Sequence, residues 1–210
     1  MHRAYSALLG VLVIGLMGTG CATTRNRPLT WDRLPFPRDS DWAGPQGSPA
    51  RVEDGDLILQ GQKVRTHGIY SAPLVIDCVV ELEERTAPDG WWGVEFVPVK
   101  SPRDSGPREF CRFRMIYRNP SANSGHDCLV MEESGGTSGV KQLWGEVPVT
   151  LSAGKPYAVR LEVAADHVQV TINGSVYDLK AVKVPYGQFY IQLVGWQPRN
   201  RWHVRNFSIH

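Results

Sequence analysis

In these 210 residues no window keeps helical spacing of apolar side chains for even three turns. That excludes helix bundles and alternating α/β architectures. No basic tract stands out either. Removing Arg3 with the leader described below takes the 23 Lys and Arg to 22, against 21 Asp and Glu. So even a balance makes nucleic acid and anionic membrane surfaces poor partners. A nucleophile elbow, a phosphate-binding loop and a metal triad are all missing, so the sequence calls for no cofactor and no metal. The four cysteines have no zinc-ligand spacing and no accompanying His cluster. No apolar run reaches the length of a membrane span.

What is present begins with an export signature. Residues 1–20 carry His2 and Arg3, then an apolar run from Ala7 to Met17, then Gly18-Thr19-Gly20 directly before Cys21. This segment resembles a bacterial lipoprotein signal, which implies that Cys21 is acylated and holds the chain to a membrane of the cell envelope. Cleavage nearby that leaves Cys21 as a thiol is the alternative. With Cys21 lipidated, Cys78, Cys111 and Cys128 allow one bridge and three pairings. Cys111 and Cys128 flank a loop-rich segment and are the favoured pair, with Cys78 in "LVIDCVV" a small buried hydrophobe. Residues 21–41 read as an anchor tether and lead-in rich in proline. Residues 42–210 are then the folded domain.

Within that domain, about eleven short runs rich in Val, Ile, Phe, Tyr and Trp follow one another, bounded by Gly, Pro, Asn or Asp. Strands with no helix between them pair antiparallel, as a sandwich or barrel. The stretch "VRLEVAADHVQVTINGSVYDL" shows the pattern most clearly. Val159, Leu161 and Val163, then Val168, Val170 and Ile172, fall on one face, and Arg160, Glu162, Gln169 and Thr171 fall on the other. Asn173-Gly174 supplies the two positive-φ positions of a type I′ turn. This predicts a three-stranded meander with one dry face.

The opening "DGDL" (Asp54 to Leu57), the hairpin "VQVTING" (Val168 to Gly174) and the closing "RNFSI" (Arg205 to Ile209) resemble the concanavalin A-like lectin/glucanase superfamily. Within it they are most similar to domains grouped with 3-keto-disaccharide hydrolases and laminin G-like modules. The resemblance implies an all-β antiparallel jelly-roll sandwich whose concave sheet holds sugar. Strand parity then nominates the side chains turned away from the core. Cys111, Phe113, Met115 and Tyr117 are the apolar set of their strand, leaving Arg112 and Arg114 outward. Phe189, Ile191 and Leu193 leave Tyr190, Gln192 and Trp196; Trp92, Val94 and Phe96 leave Trp91 and Glu95. Rings that stack on sugar faces beside guanidinium, carboxylate and amide groups suit carbohydrate. The same arginines and glutamate also read as solvated cross-strand charge pairs.

Chemistry is less visible. Laminarinase-type relatives carry E-x-D-x-x-E on one strand, and "VVELEERT" lacks it: Glu81 and Glu83 share a face, without the Asp or the last carboxylate. Glu132 and Glu133 are adjacent and therefore point oppositely. His126 beside Asp127 on a Gly/Ser-rich loop could serve as a general base, and reads more simply as polar loop. The expectation is a lectin-like domain binding carbohydrate or a glycosylated partner without catalysis. The alternatives are a glycoside or keto-sugar hydrolase and an envelope protein-interaction module.

Overall fold

The computed structural model describes residues 42–43, 50–85, 87, 89–99, 110–118, 125–134, 140–179 and 183–210. The expected signal segment, Cys21, the tether and most of the two long polar loops lie outside the described residues. Fourteen strands occur among those described: β1 (Trp42–Ala43), β2 (Arg51–Glu53), β3 (Asp56–Leu59), β4 (Gln62–Thr66), β5 (Leu74–Leu82), β6 (Asp89–Pro98), β7 (Phe110–Arg118), β8 (Cys128–Ser134), β9 (Val140–Pro148), β10 (Pro156–Val163), β11 (Val168–Ile172), β12 (Ser175–Leu179), β13 (Phe189–Trp196) and β14 (Trp202–Ile209). No helix occurs among these residues.

The strands form two seven-stranded antiparallel sheets. The first has the order β1-β4-β13-β6-β7-β8-β9 and the second β12-β11-β10-β5-β14-β3-β2. Chain neighbours often lie in different sheets. The chain passes from β4 to β5, back to β6, across to β10, and over again through β13 and β14. These crossings make a jelly-roll sandwich, and they close one core from residues far apart in sequence.

The β10–β12 meander is built as its alternation predicts. Val159 lies opposite Ile172 and Leu161 opposite Val170, all turned into the core. Asn173 and Gly174 hold φ of 49° and 84°, and the Asn173 side-chain oxygen accepts from the Ala158 amide at 2.8 Å. The core joins these residues to Trp92, Phe96, Phe113, Phe189 and Trp202, all buried. Each large apolar side chain buried there contributes about 1.5–3 kcal/mol.

The outer face of the second sheet is a lattice of ion pairs. Arg201 reaches Glu53 and Glu83, Arg205 reaches Glu81, and Arg160 reaches Asp77 and Glu162. His203 sits between Glu83 and Asp56. Glu81 and Glu83 do share a face, but they are the anchors of this lattice, on the sheet opposite the candidate site.

The favoured disulfide is not formed: Cys78, Cys111 and Cys128 are all free and buried. Parity is the reason. Cys111 faces the core with Phe113, whereas Cys128 belongs to a separate apolar cluster on the other side of the same sheet. Their side chains therefore point apart, which a disulfide does not tolerate. Burial pushes the Cys111 thiol up to about 12 and raises Cys78 and Cys128 as well.

Candidate functional site

The first sheet differs from the second because its outer face is also largely buried. Trp91, Ile116, Cys128, Val130 and Val194 make a second apolar cluster there. Simple alternation predicts a wet face. Instead, β6 and β8 carry long continuous runs of burial, and β7 joins them from Met115 to Tyr117. On this half-dry surface the register aligns side chains into rungs that run across the strands.

One rung is polar. Arg65 lies opposite Gln192, Gln192 opposite Glu95, Glu95 opposite Arg112, and Arg112 opposite Glu132. The groups are bonded to one another. Arg112 donates from Nε and Nη2 to Glu132 Oε2 at 3.0 and 2.8 Å and from Nη1 to Glu95 Oε1 at 3.4 Å. Gln192 Nε2 donates to Glu95 Oε2. Arg114, one rung away, pairs with Glu132 Oε1. Glu95, Glu132 and Gln192 are all buried, so these are charge-assisted bonds sheltered from water, stronger than surface pairs. Burial, and next the Arg112 charge, lowers the Arg114 guanidinium to about 10, which leaves it charged at neutral pH.

A parallel rung is aromatic. Trp196 pairs with Trp91 in register, and the two rings stack with centroids 6.1 Å apart and planes 12° apart. The Arg112 guanidinium lies over the Trp91 ring at 4.8 Å and over the Phe110 ring at 4.6 Å. Phe110 and Trp91 come to it from opposite ends of the strand. Gly93 lies between Trp91 and Glu95 on the same face, and a Cβ there would stand 2.2 Å from the Phe113 carbonyl oxygen. That level is therefore open, and Arg112 and Trp91 meet across it. Trp196 closes the series with 51% of its surface exposed. A hollow of about 210 Å³ opens beside the stack, lined by Lys63, Trp91, Glu95, Phe110, Arg112 and Trp196 among others.

With this geometry in view, comparison with known proteins is informative about fold. No family model and no curated protein matches the chain. The carbohydrate-binding module CBM66 from Bacillus subtilis superposes with a TM-score of 0.56 at 12% identity, covering 84% of this chain and 99% of its own. The Emp46p carbohydrate recognition domain, in its metal-free form, gives 0.58 at 11% identity, covering 81% of this chain and 88% of its own. A Bacillus subtilis protein of unknown function with a galectin-like fold gives 0.57 at 13%, covering 81% and 89%. The chain is a jelly-roll β-sandwich with the architecture of these proteins. Identities this low speak for architecture alone.

All seven residues nominated from the sequence stand on one face of the first sheet. Trp91, Glu95, Arg112 and Trp196 line the hollow directly. Gln192 holds Glu95, Arg114 holds Glu132 and lies over Trp91 at 5.2 Å, and Tyr190 carries the Arg65 guanidinium 4.4 Å above its ring. Sequence reasoning missed Lys63, Arg65 and Phe110, and it did not join Glu132 to the arginines. Alternation around Val64 in "QKVRT" does turn Lys63 and Arg65 outward. Only the pairing of β4 with β13 brings them to this sheet. Asp127 has a structural role: its carboxylate accepts from the Arg118 and Leu151 amides at 2.9 and 2.8 Å and from Arg85 at 2.8 Å. His126 beside it is exposed. Among the described residues no group of three or more His, Cys, Asp or Glu side chains is placed to hold a metal ion.

Proposed function

We propose that this protein binds carbohydrate on the outer face of the first sheet, as an exported, lipid-anchored, lectin-like domain without chemistry of its own. One observation carries the reading. Trp196 is a half-exposed ring, backed by Trp91, at the mouth of a hollow where the hydrogen-bonded Glu95 and Arg112 stand among the apolar Phe110 and Val194. An aromatic plate that takes the apolar face of a sugar, next to rigid planar donors for its hydroxyls, is the chemistry of saccharide recognition. The hollow is smaller than the ~300–1,000 Å³ typical of drug-sized ligands, so it suits one sugar unit of a longer chain. The shared architecture with a carbohydrate-binding module and a carbohydrate recognition domain supports the same reading.

Hydrolysis is the alternative, and Glu95 and Glu132 are the buried carboxylates at the centre of this face among the described side chains. Every carboxylate oxygen of the two is engaged by Arg112, Arg114 or Gln192. A general acid and a nucleophile must instead present oxygens to the scissile bond. The carboxylates here orient guanidinium groups, which favours binding over turnover of a glycoside or keto-sugar. Titration against an oligosaccharide panel tests the proposal, with Kd expected between about 1 µM and 1 mM. Trp196→Ala should abolish binding and leave folding intact. Absence of binding to every saccharide would reject the reading. Acylation at Cys21 is tested by fatty-acid labelling and by release of Cys21→Ala from the membrane fraction.

A further inference from the structure

We infer that the ligand of this site is an acidic saccharide, and that Arg65 receives its carboxylate. The inference rests on the carbohydrate-binding reading above and adds the chemical class of the sugar.

The argument starts from how this protein treats its arginines. In the described strands, Arg51, Arg112, Arg114, Arg118, Arg160 and Arg205 each stand within 4 Å of a carboxylate. Arg65 is the exception. It is exposed and has no carboxylate within 4 Å among the described residues, its guanidinium lying over the Tyr190 ring, 4.4 Å away. Stacking on a ring holds the plane of the fork and leaves its N–H edge outward, without spending its donors. A guanidinium so fixed is matched to a planar, bidentate acceptor.

Position and field agree with this. Arg65 ends the polar rung that runs through Gln192, Glu95, Arg112 and Glu132. Lys63 stands two residues before it on the same face and lines the hollow. Going from Trp196 to the level of Arg65 is four residues along β13, about 13 Å. A sugar stacked on Trp196 therefore places a neighbouring unit of the same chain near Arg65. The described side chains of this face include Lys63, Arg65, Arg112, Arg114 and Arg118 against Asp89, Glu95, Glu132 and Glu146. On the opposite sheet the excess is of carboxylates: Glu53, Asp56, Asp77, Glu81, Glu83 and Glu162 face Arg51, Arg160, Arg201 and Arg205. At the hollow itself Lys63 and Arg112 stand with Glu95, and Arg65 ends the adjoining rung, a local surplus of cations that steers anions to it.

The test uses pairs of uronate oligosaccharides, free acid and methyl ester, on the full chain at about 20 mM and about 500 mM salt. The free acid should bind about tenfold tighter at low salt, with the advantage shrinking at high salt. Arg65→Gln should remove the advantage of the acid over the ester, and Trp196→Ala should abolish binding of both forms. Equal affinity for acid and ester would overturn the inference while leaving the carbohydrate site standing, as would preference for a sulfated over a carboxylated oligosaccharide. An undiminished preference in Arg65→Gln would overturn the role of Arg65. No binding of any saccharide would reject the site itself.

Discussion

Glu132→Ala is the sharpest perturbation of the site's scaffold. Glu132 accepts two bonds from Arg112 on one oxygen and pairs with Arg114 on the other. Its side chain is 7% exposed, and the two arginines are 15% and 18% exposed. Truncation leaves Arg114 with no carboxylate within ion-pair distance among the described residues, and Arg112 with the longer contact to Glu95. Removing one member of a buried ion cluster costs about 3–5 kcal/mol, because the remaining charges stay desolvated. For a domain of this size 1 kcal/mol moves Tm by about 2–4 °C, so the variant should melt at least ~6 °C lower. Glu162→Ala is the control: its pair with Arg160 is 43% and 46% exposed, and its loss should cost under ~1 kcal/mol. Thermal unfolding followed by tryptophan fluorescence measures both. Equal shifts for the two variants would refute the view that burial, rather than charge pairing as such, gives this cluster its energy.

Other consequences are as direct. Gly174→Ala should destabilise by about 1 kcal/mol in urea titration, because φ is 84° there and no atom lies within 4 Å of an added Cβ, so conformation alone acts. Asp127→Ala leaves the Arg118 and Leu151 amides unpaired, and a loss of about 3 kcal/mol or more is expected from chemical denaturation. Thiol labelling of the Cys21→Ala chain at pH 8 should find Cys78, Cys111 and Cys128 inert in the native state and all reactive in denaturant. Their pKa values are raised by burial, which lowers the thiolate fraction. Fast native reaction at Cys128 would contradict this.

Local pattern determined much of the protein. Two-residue alternation fixed which side chains of β6, β7, β10, β11 and β13 turn inward, because successive Cβ atoms of a strand point to opposite faces whatever the strand is paired with. Asn173-Gly174 declared its turn for an equally local reason: those residues tolerate positive φ. That Trp91, Glu95, Arg112, Arg114, Tyr190, Gln192 and Trp196 turn away from the core was legible because parity within a strand survives any arrangement of strands; that they share one sheet follows from the pairing of β6 with β7 and β13.

Pairing between distant strands was decided only by the tertiary structure. Arg65 reaches the site because β4 lies beside β13, more than a hundred residues later in the chain, and no local period encodes that adjacency. The same holds for Arg112 gripping both Glu95 and Glu132, and for Cys111 and Cys128 lying back to back across one sheet. Alternation says that a residue points away from the core. Whether it then meets water, a carboxylate or a second apolar layer depends on what the fold lays over that face.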